Sequence, residues 1–190
     1  ASSLALDVLK KECPVPVVGV IEPGARKAAL STKRKKIGII ATQSTVKSGK
    51  YMRRIVDFEP KADVVSQPCP LFVPLVEEGW FEHDITLRVA KEYLTPLKQK
   101  GIDTLILGCT HYPLLKKVIG QVMGKKVFLV DSALEVAMEV KNILTAKNLL
   151  QNKKIKANHL YLVSDEPELF KYRALRFLGS NVKNVKRQGV

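Results

Sequence analysis

The sequence predicts an α/β protein built from parallel strand–helix units. Short, continuously apolar runs such as Ile37–Ala41 and Thr104–Leu107 alternate with longer amphipathic segments, of which Ile85–Lys98 is the clearest. Strands of this kind that alternate with helices are typical of βαβ units and parallel sheets. No motif repeats at a fixed short period, so a solenoid is not expected.

The periodicity and the turn residues place the individual elements. We predict helices from the start of the chain to Pro14, over Ala25–Leu30, from Thr45 through Ile55, over Ile85–Lys98, from Pro113 to Met123, from a Ser132 cap to Leu149 and over Pro167–Leu178. We predict strands over Val15–Ile21, Ile37–Ala41, Asp63–Ser66, Thr104–Leu107, Val127–Val130, His159–Val163 and Val182–Val185. The remaining stretches, residues 22–24, 31–36, 68–79 and 152–158, are expected to be turns or loops.

Composition is that of a globular protein with a real core. The chain has 190 residues, of which 46% are hydrophobic and 26% charged. No apolar run approaches the ~18 residues that a membrane span needs. The first residues lack the pattern of a secretory leader, so a secretory precursor is not expected. Three cysteines without a pairing pattern indicate free thiols, so we expect a reducing compartment, namely the cytoplasm. Because no apolar run is long enough to span a membrane, we expect no membrane partner.

The net charge of +14 is unusual. Residues 141–190 carry eleven Lys or Arg against three acidic residues, a balance of +8. Such a surface suits a polyanion, which keeps open the hypothesis of a nucleic-acid-associated regulatory protein. Aromatic residues make up only 6% of the chain and no nucleic-acid-binding motif accompanies the charge, so a solvated basic surface is the simpler interpretation.

Polar groups follow three predicted strands. They are Thr42–Thr45, Glu22 with Gly24, and the run Gly108-Cys109-Thr110-His111. Ligands of open α/β sheets bind at the carboxyl ends of the strands, so these are the candidate sites. No phosphate-binding glycine loop and no dinucleotide fingerprint occurs.

Cys109 is the sharpest candidate because it stands between a strand and a predicted helix N-terminus. The partial positive charge there is expected to lower the thiol pKa toward neutrality. Thr110 and the first-turn amides could hold a carboxylate, and His111 could assist proton transfer. A Cys–His hydrolase or a zinc site is less well supported, since neither has a recognisable spacing.

The stretch Thr104–Leu115, with sequence TLILGCTHYPLL, resembles the second catalytic motif of the aspartate/glutamate racemases. Residues 17–24, 37–51 and 69–79 resemble other segments of that family. The resemblance implies two similar parallel-sheet α/β domains and racemisation without a cofactor or metal. Two cysteines, one from each domain, then act as acid and base on opposite faces of the substrate α-carbon.

Carried over residue by residue, the resemblance makes Cys109 one acid/base thiol. Thr110 and His111 match substrate-contacting and proton-assisting positions, and Glu77 matches an acidic residue near the site. Thr42 and Thr45 match hydroxyls that line the substrate site. The family implies a glutamate substrate, a role in supplying D-glutamate for peptidoglycan, and a homodimer.

The sequence departs from the family in one important respect. The first cysteine of the family lies in a Cys-Asn-Thr-Ala-Ser motif, and Ala1-Ser2 resembles the end of that motif. The resemblance therefore implies one complete domain over residues 34–126 and parts of a second in residues 1–33 and 127–190. Cys13 and Cys69 are expected to be structural, so the chain alone is expected to be inactive. A racemase for aspartate or a related amino acid remains the enzymatic alternative.

Overall fold

A computed structural model describes residues 2–151 and 157–189, which fall into two compact units. The larger unit extends to Leu149 and the smaller begins at Leu150. The domain boundaries expected at 33/34 and 126/127 stay predictions.

The larger unit contains a four-stranded parallel sheet in the order β2-β1-β3-β4. Its strands are β1 (Lys36–Ala41), β2 (Asp63–Pro68), β3 (Thr104–Leu107) and β4 (Phe128–Asp131). Its helices are α1 (Ser2–Glu12), α2 (Ile21–Ser31), α3 (Gln43–Ser48), α4 (Lys50–Phe58), α5 (Phe72–Glu77), α6 (Asp84–Gln99), α7 (Lys116–Met123) and α8 (Ser132–Ala146), with a 3₁₀ turn over Tyr112–Leu115. The predicted parallel α/β architecture is confirmed.

The core lies on both sides of β1 and β3, the central strands. Five of the six residues of β1 and all four of β3 are buried, as their continuous apolar sequences predict. Asp103, just before β3, ties the basic connector to this core. Its carboxylate accepts hydrogen bonds from the Thr32 hydroxyl at 2.6 Å and from the backbone N–H groups of Lys33 and Arg34 at 2.8 and 2.6 Å.

The strand predicted over Val15–Ile21 is wrong. The chain has no regular structure over residues 13–20, and α2 begins at Ile21 and includes the predicted turn at residues 22–24. Ile21, Ala25 and Ala28 are buried at helical spacing, and Pro23 lies in the first turn, where its missing N–H costs nothing. Glu22 therefore follows no strand.

Three further expectations were wrong in detail. Residues 68–79 are not all loop, because Phe72 and Val76 are buried one turn apart on α5. The helix predicted through Ile55 is divided in two by Gly49, whose φ of 63° ends α3. The cap of α8 is the Asp131 carboxylate, which accepts from the N–H groups of Ala133 and Leu134, and α8 ends at Ala146.

The smaller unit contains α9 (Pro167–Leu178) and two short parallel strands, β5 (Tyr161–Val163) and β6 (Val185–Arg187). The last strand was predicted three residues too early. The basic loop predicted over residues 152–158 lies mostly outside the described residues. Whether the basic region 141–190 binds a polyanion is not tested by the structure, so that hypothesis stays a prediction. Among the described helices of the whole chain, none is long and apolar enough to cross a membrane.

Candidate active site

The carboxyl ends of β1, β3 and β4 meet at one edge of the sheet and form a cavity of about 280 Å³. Thr42 follows β1, Gly108 follows β3 and Ser132 follows Asp131 at the end of β4. The parallel register brings these three chain segments together. The residues lining the cavity are Val20, Ile21, Thr42, Thr45, Tyr51, Gly108, Cys109, Thr110, Ser132 and Ala133.

The Cys109 thiol lies beside a chain of polar groups. Its Sγ is 3.9 Å from Nδ1 of His111, and the Thr110 hydroxyl is 3.3 Å from the same nitrogen. The other ring nitrogen, Nε2, is 3.4 Å from Oε1 of Glu77. The structure thus brings together three predicted residues, Cys109, His111 and Glu77, from two parts of the chain. Glu78 is exposed.

The protonation of Cys109 differs from the sequence-based expectation. Burial of the thiol raises its pKa, and this outweighs the N–H groups of His111, Tyr112 and Thr110 and the Thr110 hydroxyl, which favour the thiolate. The expectation of a lowered pKa was therefore wrong. The element after the thiol is a 3₁₀ turn of four residues that begins at Tyr112, and the α-helix starts only at Lys116, which weakens the dipole on which that expectation rested.

The two hydroxyls after β1 are coupled to each other. The Thr42 hydroxyl donates to Oγ1 of Thr45 at 3.1 Å, and both residues line the same cavity as Cys109. This bond leaves the hydroxyl proton of Thr45 for another acceptor. The pair is therefore suited to hold a carboxylate group of a substrate.

Tyr51 and Ser132 also line the cavity and were not predicted. Their hydroxyl oxygens are 3.2 Å apart, and Ser132 Oγ donates to the carbonyl of Leu107 at 2.8 Å. Ser132 could have been identified from its position after β4. No sequence signal marks Tyr51, because it lies within a helix and approaches Ser132 only through the fold.

The other two thiols lie elsewhere. Among the described residues, neither Cys13 nor Cys69 lines the cavity. Cys69 is fully buried, and burial raises its pKa to about 12. Its carbonyl accepts a 2.8 Å hydrogen bond from the buried Tyr112 hydroxyl. Within the described part of the chain, no cluster of three or more His, Cys, Asp or Glu could hold a metal ion.

Comparison with known sequences points to one family. Residues 2–140 match the family model described as Asp/Glu/Hydantoin racemase. A protein of Geobacter metallireducens named glutamate racemase is 48% identical over 185 residues, which are 97% of this chain and 68% of that protein. A glutamate racemase of Bacillus cereus is 45% identical over 186 residues, covering 98% of this chain and 69% of that protein.

Solved structures agree with this. Glutamate racemase isoform RacE1 from Bacillus anthracis has a TM-score of 0.93 and 34% identity, and the match covers 100% of this chain and 70% of that one. A glutamate racemase from Francisella tularensis, solved in complex with D-glutamate, has a TM-score of 0.89 and 33% identity, covering 99% of this chain and 70% of that one.

Proposed function

The chain belongs to the Asp/Glu/hydantoin racemase family, and on that premise we propose that its cavity binds glutamate and that Cys109 exchanges the α-proton of this substrate. One observation carries the proposal. A partly buried thiol lines a cavity of about 280 Å³ together with hydroxyl groups that include those of Thr42, Thr45 and Thr110. The printed names of the relatives at 40–48% identity support glutamate as the substrate.

The proposed step is a proton transfer that needs no cofactor. In one direction the Cys109 thiolate removes the α-proton, becomes a thiol and leaves the electron pair on the α-carbon as a carbanion. A thiol on the opposite face then donates its proton to that carbon and is left as the thiolate. In the reverse direction Cys109 donates and the opposing thiolate abstracts, so the proton balance closes in either direction.

A raised thiol pKa suits this reaction. The α-proton of an amino acid is very weakly acidic, and a thiolate of higher pKa is the stronger base. The backbone N–H groups around Cys109 offset part of this rise in its pKa. His111, held by Glu77, lies close enough to the sulfur to assist the transfer of its proton.

The opposing acid/base group is proposed to come from outside this set of 190 residues. Neither of the other two cysteines in the sequence lines the described cavity, and the Cys69 thiol is fully buried. A polypeptide consisting of residues 1–190 alone is therefore expected not to interconvert the enantiomers of glutamate.

In the cell, the proposed reaction supplies D-glutamate for peptidoglycan in the cytoplasm. That role, like a homodimeric state, rests on the family alone. An aspartate racemase is the alternative, since the two-thiol chemistry does not depend on the length of the substrate side chain.

The first experiment uses a chimera in which residues 1–190 replace the matching residues of the Geobacter metallireducens glutamate racemase. We expect interconversion of D- and L-glutamate, followed by circular dichroism, and a loss of at least about 100-fold in kcat for Cys109→Ala. Cys13→Ala is the matched control and should remain active. An active Cys109→Ala chimera would overturn the assignment.

The second experiment tests the isolated 190-residue polypeptide and the substrate. The isolated polypeptide is incubated with D- or L-glutamate in deuterated water, and the deuterium incorporated at the α-carbon of glutamate is measured by mass spectrometry. Turnover would contradict the need for a further thiol. In the chimera, a higher kcat/KM for D-aspartate than for D-glutamate would favour the alternative substrate.

A further inference from the structure

The direction of the hydrogen bonds below the thiol is fixed by a carbonyl. Ser132 Oγ lies 2.8 Å from the Leu107 oxygen, which can only accept, so the serine hydroxyl donates there. Because a serine has a single hydroxyl proton, Ser132 must accept from the Tyr51 hydroxyl at 3.2 Å. The result is a directed chain from Tyr51 through Ser132 to Leu107, two residues before Cys109.

The Tyr51 ring packs against the turn that carries the thiol. A Cβ placed on Gly108 would lie 3.1 Å from Cε2 of Tyr51, and a Cβ on Gly24 would lie 3.6 Å from Cε1. Tyr51 is 3% exposed and Ser132 is 7% exposed, so both are held by their surroundings. One side chain of α4 thus contacts α2, the end of β3 and the start of α8.

We propose that Tyr51 and Ser132 are positioning residues that hold the Gly108–Cys109 turn, so that the Cys109 sulfur keeps its place beside the backbone N–H groups of Thr110 and His111 during proton transfer. This inference depends on the proposed function in one respect, which is the assignment of Cys109 as the group that exchanges the α-proton of the substrate. Ser132 donates a hydrogen bond to the carbonyl of Leu107, the last residue of β3. Tyr51 donates to Ser132, and the ring of Tyr51 packs against Gly108.

Several other titratable groups surround Cys109. His111 lies on the same turn, Glu77 of α5 pairs with it, and Tyr112 follows in the 3₁₀ turn. Burial raises the pKa of Tyr51. The hydrogen bond with Ser132 offsets part of this rise and negative charge on Cys109 adds to it, so Tyr51 keeps its proton in the chain while the thiolate forms. Its hydroxyl therefore acts through hydrogen bonding and not through its own ionisation.

The test measures the thiol without any need for racemase activity. The 190-residue chain is alkylated with iodoacetamide from pH 6 to pH 11, and the rate at Cys109 is read separately from Cys13 and Cys69 by peptide mass spectrometry. Tyr51→Phe keeps the ring and removes only the hydroxyl. Without this hydroxyl the backbone N–H groups beside the sulfur are held less firmly and stabilise the thiolate less. The alkylation midpoint of Cys109 should therefore move to higher pH by about half a unit, and its alkylation rate at pH 8 should fall about threefold.

Ser132→Ala should shift the profile in the same direction, and the double variant should shift it less than the sum of the two, since both act through one chain of bonds. Tyr172→Phe, at an exposed tyrosine of the smaller unit, is the control for loss of a hydroxyl and should leave the profile unchanged. A lowered melting temperature with an unmoved Cys109 profile would show a merely structural role and overturn the proposal.

In the chimera, Tyr51→Phe should lower kcat at pH 8 by about threefold, in proportion to the smaller thiolate fraction, with KM changed less than twofold. An inactive chimera whose isolated chain still shows the alkylation shift would reject the racemase assignment and leave the positioning of Cys109 supported. An active chimera with kcat unaffected by Tyr51→Phe would reject the positioning and leave the assignment intact.

Discussion

Oε1 of Glu77 lies 3.4 Å from Nε2 of His111, on the side of the imidazole ring away from Cys109. A carboxylate in this position accepts the Nε2 proton, which leaves Nδ1 as the acceptor that faces the thiol at 3.9 Å and the Thr110 hydroxyl at 3.3 Å. Glu77 thus selects the tautomer of His111. Glu77, 32 residues from Cys109 in sequence, thus affects the thiol through the imidazole ring of His111.

Glu77→Gln tests this relationship in the active chimera. The amide oxygen can still accept from Nε2, but the full negative charge beside the ring is lost. We expect kcat to fall about tenfold, less than the loss of about 100-fold or more expected for a group that itself transfers the proton. Steady-state kinetics with both enantiomers measures the effect. Glu78→Gln, at the exposed neighbour, should retain the activity of the unmodified chimera, and an equal loss in both variants would exclude a specific role for Glu77.

The stability of the fold should fall in alkaline solution because of Cys69. Burial raises the pKa of this thiol to about 12, from 9.0. Between these two values the unfolded chain loses the proton while the folded chain retains it, so stability that is present below pH 9 is lost as the pH rises toward 12. Urea unfolding at pH 8 to 11 should show a slope that approaches about 1.4 kcal/mol per pH unit for this group. Cys69→Ala should show a flatter dependence, and an unchanged slope would contradict the assignment.

Gly108→Ala should destabilise the chain. An added Cβ would lie 2.9 Å from the Ile40 carbonyl oxygen, a backbone atom that cannot move aside, and 3.2 Å from Cβ of Ala41. We expect a loss of about 1–3 kcal/mol in the free energy of unfolding, measured with urea. Gly120→Ala is the control, because its Cβ would meet nothing closer than 3.7 Å and alanine favours the helix. Equal effects at both glycines would argue against the close approach.

Asp103→Asn should weaken the tie between the basic connector and β3. Burial alone would raise the pKa of Asp103, but the Thr32 hydroxyl and the N–H groups of Arg34 and Lys33 outweigh it and lower the pKa below 3.8. The carboxylate therefore adds stability above that value, which is lost as the pH falls through the lowered pKa. The Asp103→Asn substitution should lower the free energy of unfolding by about 1–3 kcal/mol at pH 7.

Urea unfolding at pH 7 and pH 3 measures the Asp103 effect. The cost of the substitution should be smaller at pH 3, where part of the carboxylate's advantage has already gone. Asp57→Asn, at an exposed residue that pairs with Arg54 on the same helix, should change stability by less than about 1 kcal/mol. A cost at Asp103 that is independent of pH would reject the charged hydrogen bonds as its cause.

The sequence anticipates those features that depend on local pattern. The four residues of β3 are bounded as predicted, since a short apolar run ending in Gly108 has few alternatives. The polar tip that follows it lies where a parallel sheet places a ligand site. Val15–Ile21 was misjudged because a short apolar run fits an irregular segment or the start of a helix equally well.

Residues whose role depends on distant contacts could not be predicted. Tyr51 lies 81 positions from Ser132, and nothing within α4 indicates that its hydroxyl meets that partner. The protonation of Cys109 was misjudged for a similar reason. The sequence shows the turn after the strand, but the cavity that the thiol lines is also formed by Val20, Tyr51 and Ala133, from distant parts of the chain.

The parallel sheet also affects how the chain reaches its native state. Ile37 pairs with Thr104 across four helices and another strand, so β1 and β3 cannot nucleate from a local hairpin. Proteins dominated by such distant pairings fold slowly, and strand edges stay exposed in the meantime. Production of this chain should benefit from slower synthesis at low temperature and from chaperones that shield apolar strands before their partners arrive.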